Sequence, residues 1–338
     1  MTLHEVLTGP GPVLALAPMQ DITDLEFWRL MAGYGGADLY FTEFFRVTEG
    51  YRPERAILRS ILENPTGRPA IAQIIGNDPV WMARTAQALE KHPTCAIDLN
   101  LGCPAPVVYR KCAGGGLLRD PARIDSLLAV LRTAIRGAFT VKTRLGFEDP
   151  AEFDRLLDVF GAHAIDLLTV HGRTVGEKYG PVVHEDRIAE AVRRLSCPVL
   201  ANGNVTSAAG ALRTLEHTGA RGLMIGRGAI RNPWIFRQIR EVLAGREPFQ
   251  PFGRDVREYV QRLWEATTTP DVGERSQVQH MKKYANFLGE GIGAGFLHEI
   301  RRATSRREFF EIVERHTPPD EPMSLDPTER AAAVDPTS

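Results

Sequence analysis

Val199-Leu-Ala-Asn-Gly-Asn204 and Gly222-Leu-Met-Ile-Gly-Arg-Gly228 share one pattern, a short apolar run that stops at a glycine-rich turn. Runs of this kind, bounded by turn residues, read as buried strands. Working outward toward the N-terminus, the same unit recurs at Val13–Ala17, Ala37–Thr42, Ala70–Ile75, Ala96–Asn100, Thr140–Arg144 and Leu167–His171, so that eight runs are present. Helix-period stretches separate most of them. Asp78-Pro79, Asp120-Pro121 and Asp149-Pro150 each open one, with Asp as cap and Pro at the first helical position. Later helices are expected after Asp186 and Ser207.

Eight strand–helix units over about 240 residues read as a (β/α)8 TIM barrel. A doubly wound open sheet alternates in the same way. The count of eight favours the barrel, and so do the run ends. These are Pro18-Met19-Gln20, Glu43, Gln73, Asn100, Lys142 with Arg144, His171, Asn202-Gly203-Asn204 and Gly226-Arg227-Gly228. In a barrel all of them converge on the face where the active site is built. After Trp234 the pattern turns helical, at Asp255–Ala266, Ser276–Leu288, Gly295–Thr304 and Arg306–Arg315. The expected organisation is a barrel domain at 1–245, a linker at Pro248 to Gly253, a small helical domain at 250–316 and a disordered acidic tail at 317–338.

The 338 residues carry 41 basic and 42 acidic side chains, a balance that by itself argues against a strong nucleic-acid binder. The distribution argues otherwise. Residues 225–316 hold 16 Lys and Arg against 12 Asp and Glu, and the tail that follows holds one Arg against five acids. No apolar stretch reaches membrane-spanning length and no signal peptide is read, so a cytoplasmic location is expected. Cys95, Cys103, Cys112 and Cys197 fit no zinc pattern, and no metal is expected.

Among the run ends, Lys142 and Arg144 point to one side of their strand. Inside a barrel they need a negative partner, either a bound anion such as a reduced flavin or a carboxylate such as Glu43. The glycine turns at 202–204 and 226–228 suit a phosphate, with Arg227 adding charge. His171 is a structural histidine or a donor to the same ligand. Cys103, between Gly102 and Pro104 on the loop after the fourth run, has the setting of a reactive thiol, whereas Cys95 and Cys197 read as packing residues. Neither a dinucleotide fingerprint nor a phosphate-binding loop of the Walker type is present, so a nicotinamide would have to visit the flavin site.

Leu16-Ala-Pro-Met19 with Thr23-Asp24, the Asn-x-Gly-Cys-Pro of 100–104, Val141-Lys-Thr-Arg-Leu-Gly146, Val170-His-Gly-Arg-Thr174, Ala201-Asn-Gly203 and Met224-Ile-Gly-Arg-Gly228 together resemble the tRNA-dihydrouridine synthases. They fall in family order over residues 13 to 235. Glu43-Phe-Phe-Arg-Val-Thr48 is most similar to the bacterial C-type branch, which acts on position 16 of the D-loop. The resemblance implies FMN as cofactor, NADPH as reductant and tRNA as partner, with a monomer expected. Pro18, Met19, Gln20 and Gln73 would contact the flavin ring. Lys142 and His171 would bond its polar edge. Asn202, Gly203, Asn204, Gly226 and Arg227 would hold its phosphate end. Asn100, Arg144 and Arg173 would face the uracil, and Cys103 would be catalytic. Lys282, Lys283, Arg301, Arg302, Arg306 and Arg307 are the candidate RNA-binding cations, each equally a solvated helix face.

Three positions depart from the family pattern: Cys112 in place of a small residue, Glu177 in place of Gln, and His184-Glu-Asp in place of Asp-Trp. Two other readings of the residues stay open. One is a flavin barrel acting on a free pyrimidine or another activated alkene. The other is an RNA-binding protein with vestigial flavin chemistry.

Overall fold

The computed structural model describes residues 1–328. Among them, nine strands form one sheet: β1 (Val13–Leu16), β2 (Leu39–Phe41), β3 (Phe45–Arg46), β4 (Ala70–Ile75), β5 (Ala96–Leu101), β6 (Ala138–Arg144), β7 (Leu167–His171), β8 (Val199–Asn202) and β9 (Gly222–Ile225). Every pairing between them is parallel. β1 pairs with β9 and β2 pairs with β4, so eight strands close into a ring and the open-sheet alternative falls away. β3 is a two-residue strip alongside the end of β4, with Arg46 opposite Ile75, and is too short to have been read from sequence.

Parallel closure brings the C-terminal strand ends to one face. Register then aligns their side chains: Gln73, Asp98 and Thr140 are neighbours across β4–β5–β6, and Arg144, His171 and Asn202 across β6–β7–β8. The helices are aimed by their caps. The Asp78 carboxylate accepts from the amides of Val80 and Trp81 at 2.9 and 3.0 Å, and that of Asp120 from Arg123 at 3.1 Å. The helix expected after Asp186 starts one residue before it, so Asp186 lies in the first turn and His184 precedes the helix.

The opposite end of the barrel holds an element absent from the sequence reading. Helix Leu3–Thr8 is closed by a reciprocal Thr2–Glu5 capping box. Its Leu3, Val6 and Leu7 join Val13, Leu39, Ile71, Leu167 and Leu200 in one buried cluster. Arg221 fastens it by donating to the carbonyl oxygens of Leu7 and Gly9 at 2.5 and 2.7 Å.

The chain divides into two compact units. The first is Met1–Leu25, Ala37–Asn204 and Arg213–Ile225; the second is Glu26–Gly36, Val205–Leu212 and Gly226 onward. Residues 226–245, read from sequence as the end of the barrel domain, cluster with the second unit. There, helices Gly253–Thr267, Glu274–Ile292, Ala294–Ile300 and Arg306–His316 stand where the helical patterns predict. The stretch read as a linker is packed, with the Phe249 ring 5.5 Å from Trp234.

The disorder expected of the tail is corrected as far as residue 328. Met323 N donates to Pro251 O at 2.8 Å, Phe252 bridges Pro322, and Met323 and Leu325 are buried. Charge and proline content suggested a solvated tail, but two apolar side chains and strand-like pairing anchor it. Residues 329–338 lie outside the described residues.

Candidate active site

Cys103 lies two residues past the end of β5 and is held from three directions. Asn100 Oδ1 accepts the amides of Gly102 and Cys103 at 3.0 and 2.9 Å. Arg144 Nε donates to Gly102 O at 2.9 Å. Gly114 to Gly116 form the third wall. Gly115 N donates to Cys103 O at 3.2 Å, and a Cβ on Gly115 would lie 2.8 Å from that oxygen and 2.6 Å from Val175. Only glycine admits so close a backbone approach. Burial raises the Cys103 thiol pKa, and the Ala105 amide, Arg46, Lys142 and Arg144 pull it back in part. The thiol is therefore the resting form at neutral pH. Cys95 and Cys197, read as packing residues, are pushed up by burial to about 12 and about 11. Cys112 is exposed with φ 51°, a left-handed backbone that glycine adopts without strain.

Lys142 projects inside the ring. Its ammonium donates to Asn202 Oδ1 at 3.3 Å, and Asn202 in turn donates to Met224 O at 2.8 Å. Glu43, the carboxylate alternative, instead accepts from the Asp21 amide. Burial and neighbouring Arg144 push Lys142 down to about 8, against the pull of Asp98 and Cys103. An ammonium that stays depressed despite the Asp98 charge can accept a further anion beside it.

His171 and Arg173 are both buried. Arg173 Nη1 donates to His171 Nε2 at 3.1 Å, which fixes the imidazole proton on Nδ1 when the ring is neutral. Gln73 is fully buried, with Asp98 and Asn100 as partners at 2.8 Å each. Pro18 and Met19 are half-buried just past β1, with Met19 N bonded to Thr23 Oγ1 at 2.8 Å, while Gln20 is exposed.

After β8, Gly203 takes φ 139° and Asn204 φ 45°, and Asn204 donates to Pro181 O at 3.2 Å. A side chain at Gly203 would meet Val183 at 2.9 Å. In the second unit, Gly226 precedes the short helix Arg227–Arg231.

Arg144 is 1% exposed, and Nη1 reaches the carbonyls of Thr174 and Lys178, both at 2.8 Å. It ties the loop after β7 to the Cys103 loop. Burial lowers its pKa to about 10. Two departures from the family pattern meet on that loop, where His184 Nε2 lies 2.7 Å from Glu177 Oε1. Burial alone would raise Glu177, but bonds from His184 and the Thr174 amide outweigh it and lower its pKa.

Residues 15–316 match the family model described as dihydrouridine synthase (Dus). The chain belongs to the dihydrouridine synthase family. Membership makes it an oxidoreductase. Within the family it is 33% identical to a probable tRNA-dihydrouridine synthase of Rhodobacter capsulatus, over 87% of this chain and 91% of that one. It is 33% identical to a tRNA-dihydrouridine(16) synthase of Cupriavidus necator, over 74% and 81%. With tRNA-dihydrouridine synthase B of Vibrio cholerae the figures are 31%, 89% and 91%. Among solved structures, histamine dehydrogenase from Rhizobium sp. 4-9 superposes with TM-score 0.54 at 14% identity, over 77% of this chain and 51% of that one. 2-Naphthoyl-CoA reductase superposes with 0.55 at 12%, over 72% and 53%. These two share the barrel fold.

The six cations singled out in this dihydrouridine synthase all belong to the second unit, and five are exposed, Lys282 being half-buried. Lys282 donates to Arg301 O at 2.9 Å, Arg301 to Asn286 at 3.0 Å and Arg302 to His298 O at 2.7 Å. Arg307 pairs with Glu311, and Arg306 lies over the Trp264 ring. Among the described residues no helix is long and apolar enough to cross a membrane.

The reading from sequence found Cys103, Lys142 and Asn100 at strand ends but assigned nothing to Asp98, Thr140, Arg46 or the carbonyl groups that Arg144 grips. Asp98 was findable. It stands two residues before Asn100 and so shares its face of the strand.

Proposed function

We propose that the chain reduces the C5=C6 bond of uridines in the tRNA D-loop, position 16 first, with Cys103 donating the proton to C5. The observation that carries this reading is a thiol held by the Asn100, Arg144 and Gly115 bonds on the loop after β5, with Lys142 and Arg144 close enough to act on it. The relatives named above supply the substrate class. Those of the (16) type and the B type match at similar identity, so position 16 rests on the Glu43–Thr48 motif.

FMN fits the donor set, because the Lys142 ammonium bonds the neutral Asn202 oxygen, burial and Arg144 outweigh the Asp98 charge on it, and it can meet an anionic ring edge. Bound there and reduced by NADPH, FMN would supply the hydride chemistry at C6. Lys142 and His171 would hold its ring edge, Pro18 and Met19 would flank the ring, and Asn202 and Gly203 would take the phosphate end. Cys103 Sγ–H then quenches the charge that builds on C5, a general-acid step suited to a thiol that burial keeps protonated. One amide N–H of Asn100 and the guanidinium groups of Arg144 and Arg173 would stabilise the negative charge that develops toward O4. Gln20, exposed, and Asn204, bonded to Pro181, would act at the rim.

A uracil must leave its stack to reach this mouth, at a cost of a few kcal/mol, which favours an irregular RNA loop over a duplex. Binding would come mainly from phosphate contacts by the cations of the second unit.

Cys103→Ala should keep the flavin spectrum and NADPH oxidation and lose dihydrouridine formation by at least about 100-fold, in line with general-acid contributions. Wild-type product formation by that variant, followed by mass spectrometry of tRNA, would sink the assignment. Free uracil assayed in parallel separates an RNA enzyme from a pyrimidine reductase.

A further inference from the structure

Asp98 lies inside β5 with no solvent exposure, and nothing in the proposed reaction uses it directly. Its carboxylate accepts from Thr140 Oγ1 at 2.6 Å and from Gln73 Nε2 at 2.8 Å. A side-chain amide has one accepting end and one donating end. With the N–H of Gln73 on Asp98, Gln73 Oε1 faces away, and there it accepts from Asn100 Nδ2 at 2.8 Å. That leaves Asn100 Oδ1 toward the backbone, where it takes the amides of Gly102 and Cys103. An ionised carboxylate can only accept, so it sets the polarity of the whole chain. Reversed, Gln73 Oε1 would oppose Asp98, and Asn100 Nδ2 would oppose the Cys103 amide. A buried polar group without a partner costs about 1–3 kcal/mol, enough to exclude the reversed order.

We infer that Asp98 is the positioning residue for Cys103: its carboxylate orients the Gln73 and Asn100 amides so that Asn100 Oδ1 holds the backbone of the Cys103 loop. The consequence for catalysis rests on Cys103 as proton donor; the orienting role does not. Lys142, across the β5–β6 pairing, is the other charge acting on Asp98.

The test moves the carboxylate along the chain. Gln73→Glu sets two carboxyl groups face to face, where one shared proton can replace the lost N–H. The network should hold at pH 6 and break at pH 9 as that proton leaves. The double variant Asp98→Asn with Gln73→Glu restores a donor to every acceptor and should behave like the parent at both pH values. Two rates are measured on the full chain without RNA or reductant, each divided by the parent's at the same pH. They are hydrogen exchange at the Gly102 and Cys103 amides and peptide-resolved alkylation of Cys103 by iodoacetamide.

In the single variant both ratios should rise at least about tenfold between pH 6 and pH 9, and in the double variant they should stay within about twofold of one. A tenfold change corresponds to 1.4 kcal/mol, within the 1–3 kcal/mol cost of an unsatisfied buried polar group. No pH-dependent change in the single variant, or a double variant as disturbed as the single, overturns the inference. Should the single variant fail to fold, the double decides alone, and its failure to fold counts against the orienting role. Product formation is then assayed separately, so that a failure of the reaction assignment is told apart from a failure of the network.

Discussion

Lys142 holds a half-buried ammonium against the Asn202 oxygen, where burial and Arg144 outweigh the pull of Asp98, an arrangement that costs stability. A depression from 10.5 to about 8 corresponds to up to about 3 kcal/mol at neutral pH. Lys142→Met should therefore raise the unfolding midpoint of the flavin-free protein and weaken FMN binding, read by thermal melts and flavin titration. A lowered midpoint would mean that the lysine is a structural partner. Asp98 works with the opposite sign. Burial lifts it from 3.8 to about 6, so the folded state keeps a proton that the unfolded chain has released. Its contribution is complete below pH 4 and lost as pH rises toward 6, a change on the order of 3 kcal/mol. Asp98→Asn should flatten that segment of the stability profile, measured by urea unfolding; an unchanged slope between pH 4 and 6 would contradict it. The candidate residues drew notice from sequence because they stand at or near the ends of apolar runs. The face of Asp98 could be read from its spacing to Asn100, but its partners could not, since register alone sets Gln73 and Thr140 beside it.

The elements carry their instructions locally. Asp-Pro caps place three barrel helices, and their Asp side chains make the bonds expected of them. β3 and helix Leu3–Thr8 escaped notice because two and six residues give too little periodicity to read. The glycine triplet is more demanding than its composition shows. A methyl group at Gly116 would lie 2.4 Å from Tyr109 O, whereas one at Gly33 meets nothing within 4 Å. Gly116→Ala should cost about 1–3 kcal/mol by overpacking and speed Cys103 alkylation. Gly33→Ala is the matched control and should leave alkylation unchanged; equal effects from the two would remove the triplet's role in shaping the loop.

Across the molecule, net charge of −1 conceals a basic stretch at 225–316 and an acidic one after it. Lys282→Glu combined with Arg302→Glu should weaken tRNA affinity at least tenfold at low salt, with flavin binding unchanged. The salt dependence of that affinity should also flatten, its logarithmic slope falling by about 1.4 to 3.6. Each phosphate left without its cation accounts for about 0.7–0.9 of slope, and one charge reversal can strip up to about two phosphates. Filter binding at several salt concentrations checks this, and unaltered affinity would discard the surface. The barrel was legible as a whole because its repeat is regular. The division of the chain was not, since sequence order does not reveal that 26–36 and 205–212 cluster with residues beyond 225. The tail misled for a related reason: Met323 and Leu325 are too few to outweigh their charged and proline neighbours in a composition, yet enough to anchor a segment. Closure also has a history in time. Arg221 bonds to Leu7 across 214 residues of sequence, so a ribosome adding about 5–20 residues per second leaves the first helix without its fastener for on the order of 10–40 s. Until then Leu3, Val6 and Leu7 lack Met224, the last member of their cluster, so the first helix made is among the last parts of the barrel to be secured.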